Sequence, residues 1–198
     1  MRQIEEIQMS MYPNATIYYE RNDEAVACVS DEEYGAVDDA DRPSIASIQY
    51  SCGDFFMSEL SDYDRARSSC AQALHNYTVL HEKKEFQYIP QKAALLNNLA
   101  DVCLCLCEYD TALEYYKESL SIRTSLARGN PSYKPHQVTT MLNIAVCCTL
   151  RYEFDKAKRS LQRIFAIYDK TVEANRWMIE EYVGAAERLL DYISKKVA

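Results

Sequence analysis

Residues 95–112 read LLNNLADVCLCLCEYDTA, and related strings occur elsewhere in the chain. MLNIA (141–145) precedes EFDKA (153–157) in the same way. DYDRA (62–66) follows YSCGDFF (50–56), which matches LLNNLA only weakly. The aromatic residue in the second place of EYDTA and its two relatives recurs after 46 and then 45 residues. A fixed period of this size is typical of repeat architectures. The sequence therefore predicts an internal repeat of about 45 residues.

Each copy of the repeat predicts two helices. In the second copy, apolar residues recur at spacings of three and four, which is the pattern of an amphipathic helix. They are Ala93, Leu96, Leu99, Ala100, Cys103 and Leu106 before a turn, and Ala112, Tyr116 and Leu120 after it. Pro43, Pro90 and Pro135 stand just ahead of the first helices, where proline is tolerated. A last amphipathic run over 178–196 predicts a capping helix.

The pattern of a small residue, an aromatic residue and a following Asp-x-Ala resembles the tetratricopeptide repeat. The stretch from LLNNLA to EYDTALEYYKESLSI, followed by GNPSYKPHQVTTMLNIA, resembles the longer-period repeats of kinesin light chain-like proteins. The resemblance implies an all-α, tetratricopeptide-like array of helix-turn-helix pairs with a C-terminal capping helix. The helical repeat domain is expected at 44–198, with repeats at about 44–89, 90–134 and 135–174 and the capping helix at 175–197. Gly53 and Asp54 make the first copy the weakest match.

The charge is concentrated at the start of the chain. Residues 1–45 contain 11 Asp or Glu and 3 Arg, whereas residues 46–198 contain 19 of each sign. We expect 1–43 to be an acidic N-terminal arm, which is either partly disordered and solvated or docks Ile17, Tyr18 and Tyr19 in the protein's own groove or on a partner. Phosphate binding needs a basic face, so nucleic acid is not an expected partner. No apolar segment is long enough to span a membrane.

The cysteines of DVCLCLC suggest packing more than chemistry. Cys103 and Cys107 share one helix face and Cys105 points elsewhere, so three thiolates cannot converge on one metal ion. Cys103 and Cys148 align as buried packing residues, with Met57 as their counterpart in the first copy. No metal, cofactor or catalytic residue is expected, and the chain is not predicted to be an enzyme. Eight cysteines without a secretory signal predict reduced thiols and a cytoplasmic location.

Binding is the remaining class of function. By the resemblance, the first helices line a concave surface. The residues predicted to face this groove are Phe55, Asn97, Asn98, Asp101, Leu104, Cys105, Thr139, Asn143, Val146 and Leu150. Asn98 and Asn143 occupy equivalent positions, where each amide could bond a peptide backbone because it both donates and accepts. Alternatively, they bond each other or neighbouring backbone groups.

The sequence thus predicts a non-enzymatic protein–protein interaction module, an adaptor or scaffold. It would bind an extended peptide segment of a protein partner along the groove. The alternative is an obligate structural subunit of a large assembly, such as a cytoskeletal one, that binds through its convex faces and termini.

Overall fold

The computed structural model describes residues 40–197, and this part of the chain contains helices and no strands. The α-helices are α1 (Arg42–Ser58), α2 (Tyr63–Glu82), α3 (Ile89–Cys105), α4 (Tyr109–Gly129), α5 (Lys134–Leu150), α6 (Phe154–Asp169) and α7 (Glu180–Val197). Short 3₁₀ turns at Phe86–Tyr88, Pro131–Tyr133 and Glu173–Met178 join the successive pairs and the last helix. The prediction of an all-α array is confirmed. The residues of the predicted acidic arm before Ala40, including Ile17, Tyr18 and Tyr19, lie outside the described residues.

The helices pack as consecutive antiparallel pairs. Helix α1 packs on α2, α3 on α4 and α5 on α6, and each second helix also packs on the first helix of the next pair. Helix α7 covers α5 and α6 at the C-terminal end. Pro43, Pro90 and Pro135 lie in the first turns of α1, α3 and α5, where their missing N–H groups cost no helical hydrogen bond.

Small residues allow the two helices of each pair to approach closely. Ala66, Ala112 and Ala157, from the three DYDRA-like strings, have no exposed surface. The first helices contribute Gly53, Ala100 and Ala145, which are also buried. One apolar core runs through the second pair, the third pair and α7. No helix among residues 40–197 is long and apolar enough to cross a membrane.

The turn after α3 ends the helix with a left-handed residue. Cys107 has φ 62°, and its N–H donates to the Leu104 carbonyl at 3.0 Å. The Glu108 N–H donates to the Cys103 carbonyl at 2.8 Å, which completes a Schellman pattern. The turn after α5 has the same bonds, with Tyr152 at φ 60°.

The turn after α1 is one residue longer. Ser61 again takes the left-handed conformation, but the Asp62 N–H donates to the Phe56 carbonyl, six residues back instead of five. Phe56 therefore corresponds to Cys103, and it is 3% exposed. The prediction that Met57 is the counterpart of Cys103 is wrong by one residue, because the extra turn residue shifts α1 by one position relative to α2.

The same shift explains the weak match of the first copy. Gly53 corresponds to Ala100, so it stands where the other copies also have a small buried residue. The sequence contains this signal, because Pro43 and Pro90 are 47 residues apart whereas Pro90 and Pro135 are 45 apart.

Candidate peptide-binding surface

Polar side chains join the first helices of successive pairs. Asn143 Nδ2 of α5 donates to Asp101 Oδ1 of α3 at 3.1 Å. Asn98, one turn before Asp101, lies beside the side chain of Tyr50 in α1. Burial raises the pKa of Tyr50, as does nearby Asp54, and the polar contact with Asn98 lowers it in part. Both asparagines are half-buried. The three first helices are thus connected along one surface.

Asp101 is the central acceptor of this surface. Asn97 Nδ2 donates to Asp101 Oδ2 at 2.8 Å, and the buried Tyr116 hydroxyl donates to Oδ1. Desolvation between the helices raises the pKa of Asp101 to about 6, and the bonds from Tyr116 and Asn97 and the charge of Arg123 oppose this shift. With Asn143, the carboxyl group has donors from α3, α4 and α5.

Arg123 of α4 also forms hydrogen bonds with α3 and α5. The residue is 7% exposed, and Nη1 donates to Thr140 Oγ1 at 2.7 Å, to the His136 carbonyl at 3.0 Å and to Asn97 Oδ1 at 3.3 Å. Burial lowers the pKa of Arg123, and the negative charge of Asp101 opposes this effect. The guanidinium therefore links the second pair to the start of α5.

A cavity of about 220 Å³ opens beside Arg123. It lies between α1, the starts of α3 and α5, and the later part of α4. Its walls are mainly apolar or aromatic, and include Tyr50, Ala94, Leu126 and Tyr133, with His136 also in the lining. The arrangement can accept an apolar group whose end bears a hydrogen-bond acceptor or a negative charge.

A family model of the tetratricopeptide repeat matches residues 91–170, which cover most of the second and third helix pairs. This stretch of the chain is thus similar in sequence to tetratricopeptide repeats. Repeats of this family generally mediate protein–protein interactions and are typically not enzymes. None of the curated proteins matches the chain. The narrower resemblance to kinesin light chain-like proteins stays a prediction.

The predicted groove residues of these repeats differ in accessibility. Those that are half-buried are Phe55, Asn98, Asp101, Cys105, Thr139 and Asn143. Those that are buried are Asn97, Leu104, Val146 and Leu150. The three buried aliphatic residues belong to the core in this conformation, so they offer no open apolar pocket. Among the described residues, the cavity beside Tyr50 offers an apolar space on this side of the repeats.

Two of the half-buried positions need further description. Thr139 Oγ1 donates to the Pro135 carbonyl at 2.9 Å, inside its own helix. The spacing of the aromatic residues aligns Phe55 with Asp101, but the longer turn after α1 shifts this register by one residue. The equivalent of Asp101 in the first helix pair is Asp54, which is exposed.

Sequence reasoning missed Tyr50, Tyr116, Arg123 and the cavity. Tyr116 and Arg123 lie on the second helix, whereas the search for groove residues covered only the first helices. A signal was present, because Arg123 continues the apolar stripe formed by Ala112, Tyr116 and Leu120. A charged residue in a stripe that faces the core indicates a buried polar contact.

The structure also answers the question of the cysteines. Cys103, Cys147 and Cys148 are buried, which confirms that Cys103 and Cys148 are packing residues. Burial raises the pKa of Cys103 and Cys148, and raises that of Cys147 to about 12. Cys105 is half-buried and Cys107 is exposed at the turn. The buried thiols therefore have little thiolate character at neutral pH.

Proposed function

We propose that this tetratricopeptide-repeat chain is a non-enzymatic adaptor or scaffold. It binds an extended peptide segment of a protein partner in the groove along α1, α3 and α5. The observation that supports the proposal best is the pair Asn98 and Asn143. The two amides occupy equivalent positions and both are half-buried; Asn143 is held by a hydrogen bond to α3, and Asn98 lies beside Tyr50 of α1.

The hydrogen-bonding capacity of Asn143 makes this role chemically reasonable. An asparagine amide has two N–H donors and one carbonyl acceptor. One N–H of Asn143 is used by Asp101, which also fixes the orientation of the amide. The remaining groups can pair with a peptide backbone at little further loss of side-chain freedom, and such preorganisation favours binding.

The other parts of the proposal follow from charge and thiol chemistry. Residues 46–198 carry equal numbers of acidic and basic residues, so they have none of the excess positive charge that nucleic-acid binding favours. Thiols that are free in the described residues suit a reducing compartment, so we propose that the protein acts in the cytoplasm.

The test is selection of a displayed random peptide library on the full chain, followed by affinity measurements on Asn98→Ala/Asn143→Ala. Each hydrogen bond to a neutral partner contributes about 0.5–1.5 kcal/mol, so the double variant should bind about tenfold more weakly. Its circular dichroism must be checked, because Asn143 also holds Asp101. Glu114→Ala, on the exposed side of α4, should bind as the wild type does.

If no peptide is selected, or if Glu114→Ala weakens binding and the double variant does not, the first-helix groove is not the binding surface.

A second candidate function is an obligate structural subunit of a large assembly, such as a cytoskeletal one. It is favoured by aromatic side chains that are exposed in the turns between helix pairs, since aromatic residues are enriched at interfaces. Trp177 is 72% exposed and Phe86 is 58% exposed. In this case Trp177→Ser/Phe86→Ser should release the chain from its native complex in size-exclusion chromatography. The adaptor proposal expects these changes to leave peptide affinity unaltered.

A further inference from the structure

The cavity beside Arg123 combines a buried positive charge with apolar walls. The hydrogen bonds of Arg123 go to neutral acceptors, namely the Asn97 amide, the Thr140 hydroxyl and the His136 carbonyl. Among residues 40–197, no carboxylate forms an ion pair within 4.0 Å of its guanidinium. No direct hydrogen bond joins Asp101 to Arg123; Asn97 bonds both side chains, and the two opposite charges act on each other's pKa across this gap. A buried guanidinium without a carboxylate in contact is unusual, because buried charges are ordinarily paired.

The charge of Arg123 affects the groups around the cavity. The pKa of His136 is lowered, first by burial and second by the positive charge of Arg123. At Tyr50 the charge of Arg123 is outweighed, because burial and the negative charge of Asp54 raise the pKa. The positive charge of Arg123 therefore acts mainly on the His136 side of the cavity, where an entering anion would offset it.

We propose that this cavity receives an acidic side chain of the partner's extended segment, with its carboxylate on Arg123 and its methylene groups against Leu126 and Ala94. The inference rests on the proposed function and names the chemistry of the partner. The volume of about 220 Å³ is smaller than the roughly 300–1,000 Å³ of pockets for drug-sized ligands, so it suits one side chain. Arginine binds carboxylates in a planar, two-bond geometry, which makes it the natural residue for this task.

The experiment uses two blocked tripeptides, in which either glutamate or glutamine is flanked by alanines. They are titrated into the full chain and followed by NMR of the His136 imidazole. The glutamate peptide should bind about tenfold more tightly, because a charge-assisted bond replaces a neutral one. It should also raise the pKa of His136, since the bound carboxylate offsets the charge of Arg123. The glutamine peptide should leave that pKa unchanged.

Two variants and one control locate the site. Arg123→Gln should abolish the preference for glutamate, but it also removes bonds within the fold. Ala94→Leu therefore provides a second variant, which fills the cavity and leaves the Arg123 bonds in place. Both should weaken binding of the glutamate peptide at least tenfold. Arg128→Gln removes an exposed positive charge of the same helix and should have no effect.

The outcomes separate this inference from the proposed function. Equal binding of the two tripeptides, or no response of His136 to either, would overturn the acidic-side-chain site. Library peptides that still depend on Asn98 and Asn143 would then leave the proposed function intact. Replacing the acidic cluster at 31–33 by amides should not change the affinity. A tenfold gain would instead assign the cavity to the chain's own acidic segment.

Discussion

Replacing Gly53 with alanine should destabilise the first helix pair, although alanine favours the helix. A Cβ atom at Gly53 would lie 2.4 Å from Cys70 Sγ, 3.3 Å from the Cys70 nitrogen and 3.4 Å from the Ala66 carbonyl oxygen. Overpacking a buried contact costs about 1–3 kcal/mol. Alanine regains about 0.5–1 kcal/mol over glycine inside a helix. The free energy of unfolding should therefore fall by up to about 2.5 kcal/mol.

The Cys70→Ala background provides the decisive comparison. Without Sγ, the alanine methyl group at position 53 meets only the two backbone atoms at 3.3 and 3.4 Å, which are tight contacts but not overlaps. Gly53→Ala should then be neutral or stabilising by up to about 1 kcal/mol. Urea unfolding followed by circular dichroism measures all four proteins, and the midpoint should shift while the slope stays constant. Equal effects of Gly53→Ala in both backgrounds would show that α1 and α2 do not meet at this point, and the shifted register would be refuted.

Three further results are expected. Brief iodoacetamide treatment of the native protein, analysed by mass spectrometry, should modify exposed Cys107 first and buried Cys148 last; the reverse order would contradict the assigned helix faces. Tyr116→Phe removes a buried donor to Asp101 and should lower the free energy of unfolding by about 1–3 kcal/mol, whereas the matched Tyr115→Phe should change it by less than about 0.5 kcal/mol. Because folding raises the pKa of Asp101 to about 6, the folded chain takes up a proton more readily than the unfolded chain between that value and the ordinary one. As the pH falls from 7 to 5, the urea midpoint of the wild type should therefore rise relative to that of Asp101→Asn. A relative fall of the wild-type midpoint would show that the hydrogen-bond donors keep the Asp101 carboxyl group ionised.

The helix pairs were predictable because their signals are local. Apolar spacing, prolines at helix starts and the recurring aromatic-Asp-x-Ala strings each depend on a few neighbouring residues. The register of the first pair was not predicted, since the aromatic spacing alone gives 46 residues and hides the longer turn. The spacing of Pro43 and Pro90 by 47 residues contains the missing information, but only when it is compared with the aromatic spacing.

The candidate surface was less predictable, because its contacts join residues that are distant in sequence. Asn98 and Asn143 were identified from their equivalent positions in two repeats. Their contacts with Tyr50 and Asp101 could not be predicted, since the partner of a side chain depends on how successive helix pairs are stacked. Arg123 reaches the start of α5 from α4, so its role also depends on that stacking.

The polar contacts between the repeats have a consequence for binding. Apolar packing is non-directional, so on its own it would allow α3 and α5 a range of relative positions. Asp101 accepts hydrogen bonds from α3, α4 and α5, and a bond of this kind is satisfied only in a narrow range of geometries. The cost is a carboxyl group that is desolvated between helices. In return, these bonds limit the movement of α5 against α3, so the proposed extended segment would meet Asn98 and Asn143 in one register.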